Sequence, residues 1–344
     1  VHRTRFALFT AATLTTAALT AAAGQASASG THQEAIDYVA LGDSYTAGPL
    51  IPFQRLDPLG CFRSTSNYPA WLADHLDVRS YTDVSCSSAD TTDMTGSQPL
   101  PVFGAQPPQF SALDSGTDLV TIGIGGNDFG VFGELISVCP ELAESDPTGS
   151  PCQDTYTVDG IDTMKQRIEG TQDRVVEVLR GVHERSPQAT VVLVGYPRIA
   201  PETGYCPDIL PFADGDLRWL DSVEQTLNTA LDTAANIDGD TVFVDTYTPS
   251  AGHDACATGG AAWIQGKDTD LFRAASYHPL RSGMVGVASI IANTLAGQSA
   301  DAAPAERALR TADSRRPHST MGEPVATPGL TREYLGKVPG TVAG

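Results

Sequence analysis

Tyr38-Val39-Ala40-Leu41-Gly42-Asp43-Ser44-Tyr45 sets four apolar residues in a row directly before a glycine, an acid and a hydroxyl. An apolar run without alternation suits a strand covered on both faces, the habit of a parallel sheet. Leu119–Ile124, Thr190–Gly195 and Thr241–Val244 read the same way, and Arg79–Val84 is a weaker fifth strand. Helical spacing lies between and after these runs. Ile161, Met164, Ile168, Val175, Leu179 and Val182 share one face, as do Leu220, Val223, Leu227, Ala230 and Ala234. A last helix is expected from about Pro279 to Ala296. Strand–helix alternation with right-handed crossovers predicts an α/β fold. The expected form is a doubly wound, flavodoxin-like three-layer α/β/α sandwich on a mainly parallel sheet of about five strands.

The stretches 45–68, 201–216 and 250–277 carry Pro, Gly and Cys with little periodicity and read as long ordered loops, which are usually functional. No internal repeat is visible. Three regions follow. Residues 1–28 read as an export signal, with Arg3 and Arg5 before an apolar run and Ala26-Ser27-Ala28 as the small-residue cleavage pattern. Residues 29–300 form the expected globular domain. Residues 301–344 lack any apolar period and read as a flexible tail.

The 344 residues hold 21 Lys+Arg against 41 Asp+Glu, a net charge of −20. That balance argues against a nucleic-acid partner, which needs clustered cations, and against simple attachment to an anionic membrane. No segment is apolar and long enough for stable membrane insertion. A strongly acidic body repels its copies, and a monomer is expected. The six cysteines, Cys61, Cys86, Cys139, Cys152, Cys206 and Cys256, are an even set in a chain read as secreted, which favours three disulfides. Sequence neighbours are the expected pairs, 61–86, 139–152 and 206–256, because each brackets a loop-rich insertion. No metal-binding spacing occurs, so no metal site is expected.

In such a sheet, ligands sit beyond the C-terminal ends of the strands. Gly42-Asp43-Ser44, Cys86-Ser87-Ser88 and Gly125-Gly126-Asn127-Asp128 follow three of the strands, and His278-Pro279 precedes the last helix. A hydroxyl, main-chain donors, an amide and an imidazole therefore converge at one edge. Acyl transfer needs these groups: a nucleophile, a base for its proton and donors for an oxyanion. Ser44 alone would more often be a helix cap. Among the seven histidines, elimination points to His278. His2 lies in the export signal, His318 in the tail and His32 before the first strand, while His75 and His183 read as solvent-facing helix residues. His253 is the weaker remaining candidate. Proline favours a first helical turn, so His278 is expected at a fixed helix start.

The same residues resemble the SGNH hydrolase superfamily, and within it the GDSL-type secreted bacterial lipases and esterases. Ala40-Leu41-Gly42-Asp43-Ser44-Tyr45 is similar to the first block of that family, Gly125-Gly126-Asn127-Asp128 to its G-x-N-D block and Ser276-Tyr277-His278-Pro279 to its final His-Pro. Tyr45-Thr46-Ala47-Gly48-Pro49 and Tyr68-Pro69-Ala70 resemble the secreted lipases, which also carry three disulfides. The resemblance spans about residues 36–298. It implies extracellular hydrolysis of carboxylic esters, lipid or other small esters, with no cofactor. By resemblance Ser44 is the nucleophile and His278 the base. The Ser44 and Ser88 N–H groups and the Asn127 amide would make the oxyanion hole.

Two positions depart from the pattern. Ser88 stands where the family usually has glycine, and its side chain is expected to narrow the pocket or restrict the turn. Ala275 stands where the family's aspartate would be, and the nearest upstream acids are Asp270 and Asp268. A main-chain carbonyl near Ala275 or Ser276 is expected to hold the imidazole instead, which makes a Ser–His dyad. Asp43 and Asp128 are expected to cap turns beside the site. Alternatives are a phospholipase A1, a carbohydrate or xenobiotic esterase, and, from another class, a secreted non-catalytic binding protein with a vestigial site.

Overall fold

The computed structural model describes residues 36–76 and 78–297. The expected export segment 1–28 and tail 301–344 lie outside the described residues, as do 29–35 and 298–300 of the expected domain. In chain order the principal elements are β1 (Asp37–Gly42), α1 (Ser44–Ala47), α2 (Tyr68–Leu76), β2 (Ser80–Asp83), β3 (Leu119–Gly123), α3 (Val131–Ser145), α4 (Pro151–Tyr156), α5 (Thr163–Arg185), β4 (Thr190–Val194), α6 (Leu217–Asp238), β5 (Thr241–Val244) and α7 (Arg281–Leu295). The sheet runs β2-β1-β3-β4-β5 and every pairing is parallel. The result is the doubly wound three-layer sandwich, with α5 packed on α6 and α2 on α7.

Burial explains which strands announce themselves. Every residue of β3 is buried and all of β1 but its first, whereas the edge strands β2 and β5 each bury one residue of four. The chain leaves β1 for β2 on one side and returns to β3 on the other. The crevice beyond the C-terminal ends of β1 and β3 is therefore the switch point where ligands bind.

Three expectations need correction. Ile161 is not on the helical face: it sits in a two-residue strand paired with Thr157–Val158 and is 51% exposed. Asp162 stops the helix from starting earlier, because its side chain caps the Lys165 N–H at 3.1 Å. Pro279 is not in the first turn of α7. It forms a bridge with Ile264, Leu280 is the N-cap and the helix begins at Arg281. Gly283 and Gly286 let α7 lie against Trp263; a Cβ at Gly286 would meet its ring at 2.4 Å. The expected loop 45–68 starts inside α1 and contains a 3-10 turn at Leu59–Cys61.

Disulfides join Cys61 to Cys86, Cys139 to Cys152 and Cys206 to Cys256. The first ties the loop after α1 to the segment after β2, and Cys86 N–H also donates to the Gly42 carbonyl at 2.9 Å. Ser88 is thereby held beside the end of β1. Among the described residues no helix is long and apolar enough to cross a membrane.

Candidate active site

The turn from β1 into α1 is very tight. Gly42 has φ +146°, and a Cβ there would lie 2.3 Å from Thr46 Oγ1 and 2.5 Å from the Gly123 carbonyl. Only glycine fits. Asp43 then caps α1, its carboxylate accepting from the Tyr45 N–H at 2.8 Å, while its own N–H donates to Gly123. Ser44 is left at the first helical position. Its main-chain N–H meets no acceptor within the helix and points out at the helix N-terminus.

The loop carrying His278 is locked onto this turn. The Tyr45 hydroxyl donates to the Tyr277 carbonyl at 2.6 Å, and Tyr277 adopts φ +59°, a conformation that bulky residues rarely take. The Tyr45 and Phe132 rings flank the imidazole. His278 Nε2 lies 2.9 Å from Ser44 Oγ and Nδ1 lies 2.7 Å from the Ser276 carbonyl. A carbonyl only accepts, so Nδ1 carries the proton and Nε2 presents its lone pair to the Ser44 hydroxyl. His278 is completely buried and Ser44 is 2% exposed. Burial pushes His278 down to about 4, against the smaller opposing effect of the Ser276 carbonyl.

Among the described residues no carboxylate touches this imidazole. Asp270 Oδ1 accepts from the Phe272 N–H of its own turn, Asp254 Oδ1 accepts from the Cys256 N–H, and the Asp268 carbonyl accepts from Gln265. Ala275 packs with Leu50 and Phe62 in a small apolar cluster, which has no place for a charge.

Asn127 is tied to the segment that carries Ser88 through the next residue, Ala89. Asn127 Nδ2 donates one hydrogen to the Ala89 carbonyl at 2.9 Å, which leaves its second amide hydrogen available. Ser88 has φ +70° and is exposed. That left-handed conformation accounts for the glycine of the family pattern and costs a serine about 1–2 kcal/mol. Ser44 and Asn127 border one apolar cavity of about 90 Å³, walled by Phe132 and Leu135 of α3 and Val223 and Leu227 of α6.

The acids of the two blocks serve the turns. Asp128 accepts from the Thr91 N–H and hydroxyl. Burial raises it to about 6 and raises Asp43 to about 7, in each case against the hydrogen bonds it accepts. Asp43 is bonded by the Tyr196 hydroxyl, which in turn accepts the Gly126 N–H at 2.9 Å. Tyr196 therefore couples the serine turn to the asparagine loop. Sequence reasoning missed it, although it follows β4 at the strand edge where the other residues were found. It also missed Glu224, which borders the cavity from within the apolar stripe of α6.

Two other described histidines, His253 and His183, take structural places. His253 Nδ1 bonds the Ala261 carbonyl at 2.6 Å and its ring stacks on Trp263. His183 is not a plain solvent-facing residue: Nε2 lies 3.0 Å from the Asp238 carboxylate and 3.2 Å from Thr241 Oγ1.

Lipase 2 of Streptomyces coelicolor is 42% identical over 234 residues, covering 67% of this chain and 76% of the relative. A lipase of Streptomyces rimosus is 31% identical over 280 residues, 81% of this chain and 94% of the relative. Among solved structures, a phospholipase A1 from Streptomyces albidoflavus superposes with a TM-score of 0.62 at 28% identity, covering 76% of this chain and 99% of that one. The profile of the GDSL-like lipase/acylhydrolase family matches residues 40–284. With that match over most of the sandwich and relatives named lipase and esterase, the chain belongs to the GDSL-like lipase/acylhydrolase family and is a carboxylic ester hydrolase.

Proposed function

We propose that this is an exported serine lipase/esterase that cleaves acylglycerol-type esters through a Ser44–His278 dyad and an acyl-enzyme. The observation that carries the reading is the relay from Ser44 Oγ to His278 Nε2 and from Nδ1 to the Ser276 carbonyl. His278 takes the Ser44 proton as Oγ attacks the ester carbonyl. The Ser44 and Ser88 N–H groups and the Asn127 amide hold the oxyanion. The imidazolium then protonates the leaving alcohol. Water, deprotonated by the same imidazole, attacks the acyl-enzyme and releases the acid, and Ser44 recovers its proton. The cavity beside Ser44 receives the acyl chain.

The test is covalent labelling with a fluorophosphonate followed by peptide mapping. Label on Ser44, lost in Ser44→Ala and in His278→Ala, is the expected result. Label elsewhere, or hydrolysis that survives Ser44→Ala, overturns the dyad. The phospholipase A1 reading uses the same chemistry and is favoured by the solved Streptomyces albidoflavus relative. Rates on a triacylglycerol and on phosphatidylcholine separate the two. Residues 1–28 as an export signal and 301–344 as a dispensable tail complete the proposal. A chain of residues 29–300 is expected to hydrolyse p-nitrophenyl butyrate at the full-length rate.

A further inference from the structure

The cavity beside Ser44 is apolar on nearly every side, yet a carboxyl stands in its wall. Glu224 lies on α6 among Leu220, Val223 and Leu227. Both of its oxygens accept from the Ile199 N–H, each at 3.1 Å. The cation close by is already engaged. Arg198 pairs with Asp221 at 3.1 Å and lies over the Tyr247 ring at 4.2 Å from its centroid. Asp221 also accepts from the Tyr247 hydroxyl and from Gln225. Among the described residues Glu224 makes no ion pair, and no side chain donates to it.

A carboxyl in this position favours its neutral form. Burial holds the proton on Glu224 well above the usual carboxylate range. The Ile199 N–H and Arg198 oppose that effect, and the charges of Asp221 and Asp254 add to it. Asp43 and the Tyr45, Tyr196 and Tyr277 phenols are the other titratable groups that border the cavity, and none supplies a positive charge. A neutral carboxyl has one O–H donor. Ile199 serves only its acceptor side, so the donor is left for whatever fills the cavity.

We propose that Glu224 is a polar subsite of the acyl pocket, donating a hydrogen bond to an oxygen carried along the acyl chain. The preferred substrates would then include esters of hydroxy- or oxo-fatty acids. A plain hydrocarbon chain displaces water from this carboxyl and returns no partner, whereas an oxygenated chain does. This rests on the reading of Ser44 as nucleophile and of the cavity as the acyl pocket.

The experiment compares p-nitrophenyl octanoate with its monohydroxy isomers, the hydroxyl moved carbon by carbon, on wild type, Glu224→Gln and Glu224→Leu. At one or two hydroxyl positions the wild-type ratio of kcat/KM, hydroxy over plain, is expected to exceed that of Glu224→Leu by about tenfold. Glu224→Gln keeps an N–H donor and should retain most of that ratio, while Glu224→Leu should hydrolyse plain octanoate better than wild type. Ratios in Glu224→Leu equal to wild type at every position overturn the subsite. So does a wild type that disfavours every hydroxy isomer, which needs no variant to establish. Fluorophosphonate labelling of Ser44 is run on each protein. Label with no hydroxyl preference sinks the subsite alone, whereas absence of label and of octanoate hydrolysis in wild type sinks the dyad reading with it.

Discussion

Among the described histidines, His183 and His278 sit beside strand ends and are built in opposite ways. His183, near the C-terminus of α5, is half-buried and faces the Asp238 carboxylate, whose Oδ2 also accepts from the Thr241 hydroxyl. His278 is fully buried, and its polar partners among the described residues are a main-chain carbonyl and a serine hydroxyl. The chain thus contains a histidine–carboxylate pair, but away from the switch point. A carboxylate would stabilise the imidazolium and raise its proton affinity, whereas burial without one does the reverse. The comparison teaches that a main-chain carbonyl can fix a tautomer and free a lone pair without any carboxylate. Charge support for the imidazolium is a separate contribution.

The strongest way to break the comparison is to delete each ring. His278→Ala and Ser44→Ala are each expected to lower kcat by about 10⁴–10⁶. His183→Ala should leave kcat unchanged and lower only the melting temperature. Equal losses of kcat at the two histidines would end the distinction. Next in size, Asn127→Ala removes one proposed oxyanion donor and should cost about 10²–10³ in kcat on p-nitrophenyl butyrate, with KM little altered.

Tyr196→Phe tests positioning, since it deletes only the hydroxyl between Asp43 and the Gly126 N–H. A loss of about tenfold in kcat, the worth of one hydrogen bond, is expected at unchanged KM. Because that hydroxyl lowers Asp43, its loss should also move any Asp43-linked inflection in the pH–rate profile upward from about 7. A changed KM with an unmoved profile would assign Tyr196 to packing alone.

The pH dependence sharpens the comparison further. In the proposed dyad the neutral ring of His278 is the active form, so the acid limb of kcat/KM that it controls should fall with a midpoint near 4, well below an ordinary histidine. Folding linkage carries the same sign. Because its folded value is depressed from 6.5, the contribution of His278 to stability is complete above that pH and is lost as pH falls toward 4. Asp43, raised from 3.8 to about 7, works oppositely, and its contribution is lost as pH rises through that window.

The smallest effects should come from the acids. Asp254→Asn, Asp268→Asn and Asp270→Asn are each expected to change kcat by less than about threefold, whereas loss of a true triad aspartate costs about 10⁴. A drop of several orders of magnitude in one folded variant would name a third member and undo the dyad.

The sheet was legible because its interior strands are buried on both faces and so lack alternation. The edge strand β2 was faint because it buries only Asp83. Ser44, Asn127 and His278 were legible because fold topology sends strand ends to one edge. The turn at Asp159-Gly160 was not, since Ile161 continues the helical spacing by chance while Asp162 takes the cap. Glu224 was hidden for a related reason: a single acid inside an apolar stripe looks like a flaw in the period until the cavity beside it is seen. The choice between the Ala275 and Ser276 carbonyls depended on the φ +59° bend at Tyr277, which no residue type announces.

The group that orients His278 belongs to the backbone, and in evolutionary terms it has no codon of its own. No single-base change can delete the Ser276 carbonyl, so this part of the relay is insulated from the drift that can erase a triad aspartate. Its exposure is to changes that redraw the loop. A proline at 277 would forbid the positive φ there, and losing the Tyr45 hydroxyl would release the Tyr277 carbonyl that pins the loop. Among descendants of such a chain, selection to keep this relay would act on positions 45 and 277 more than on 276.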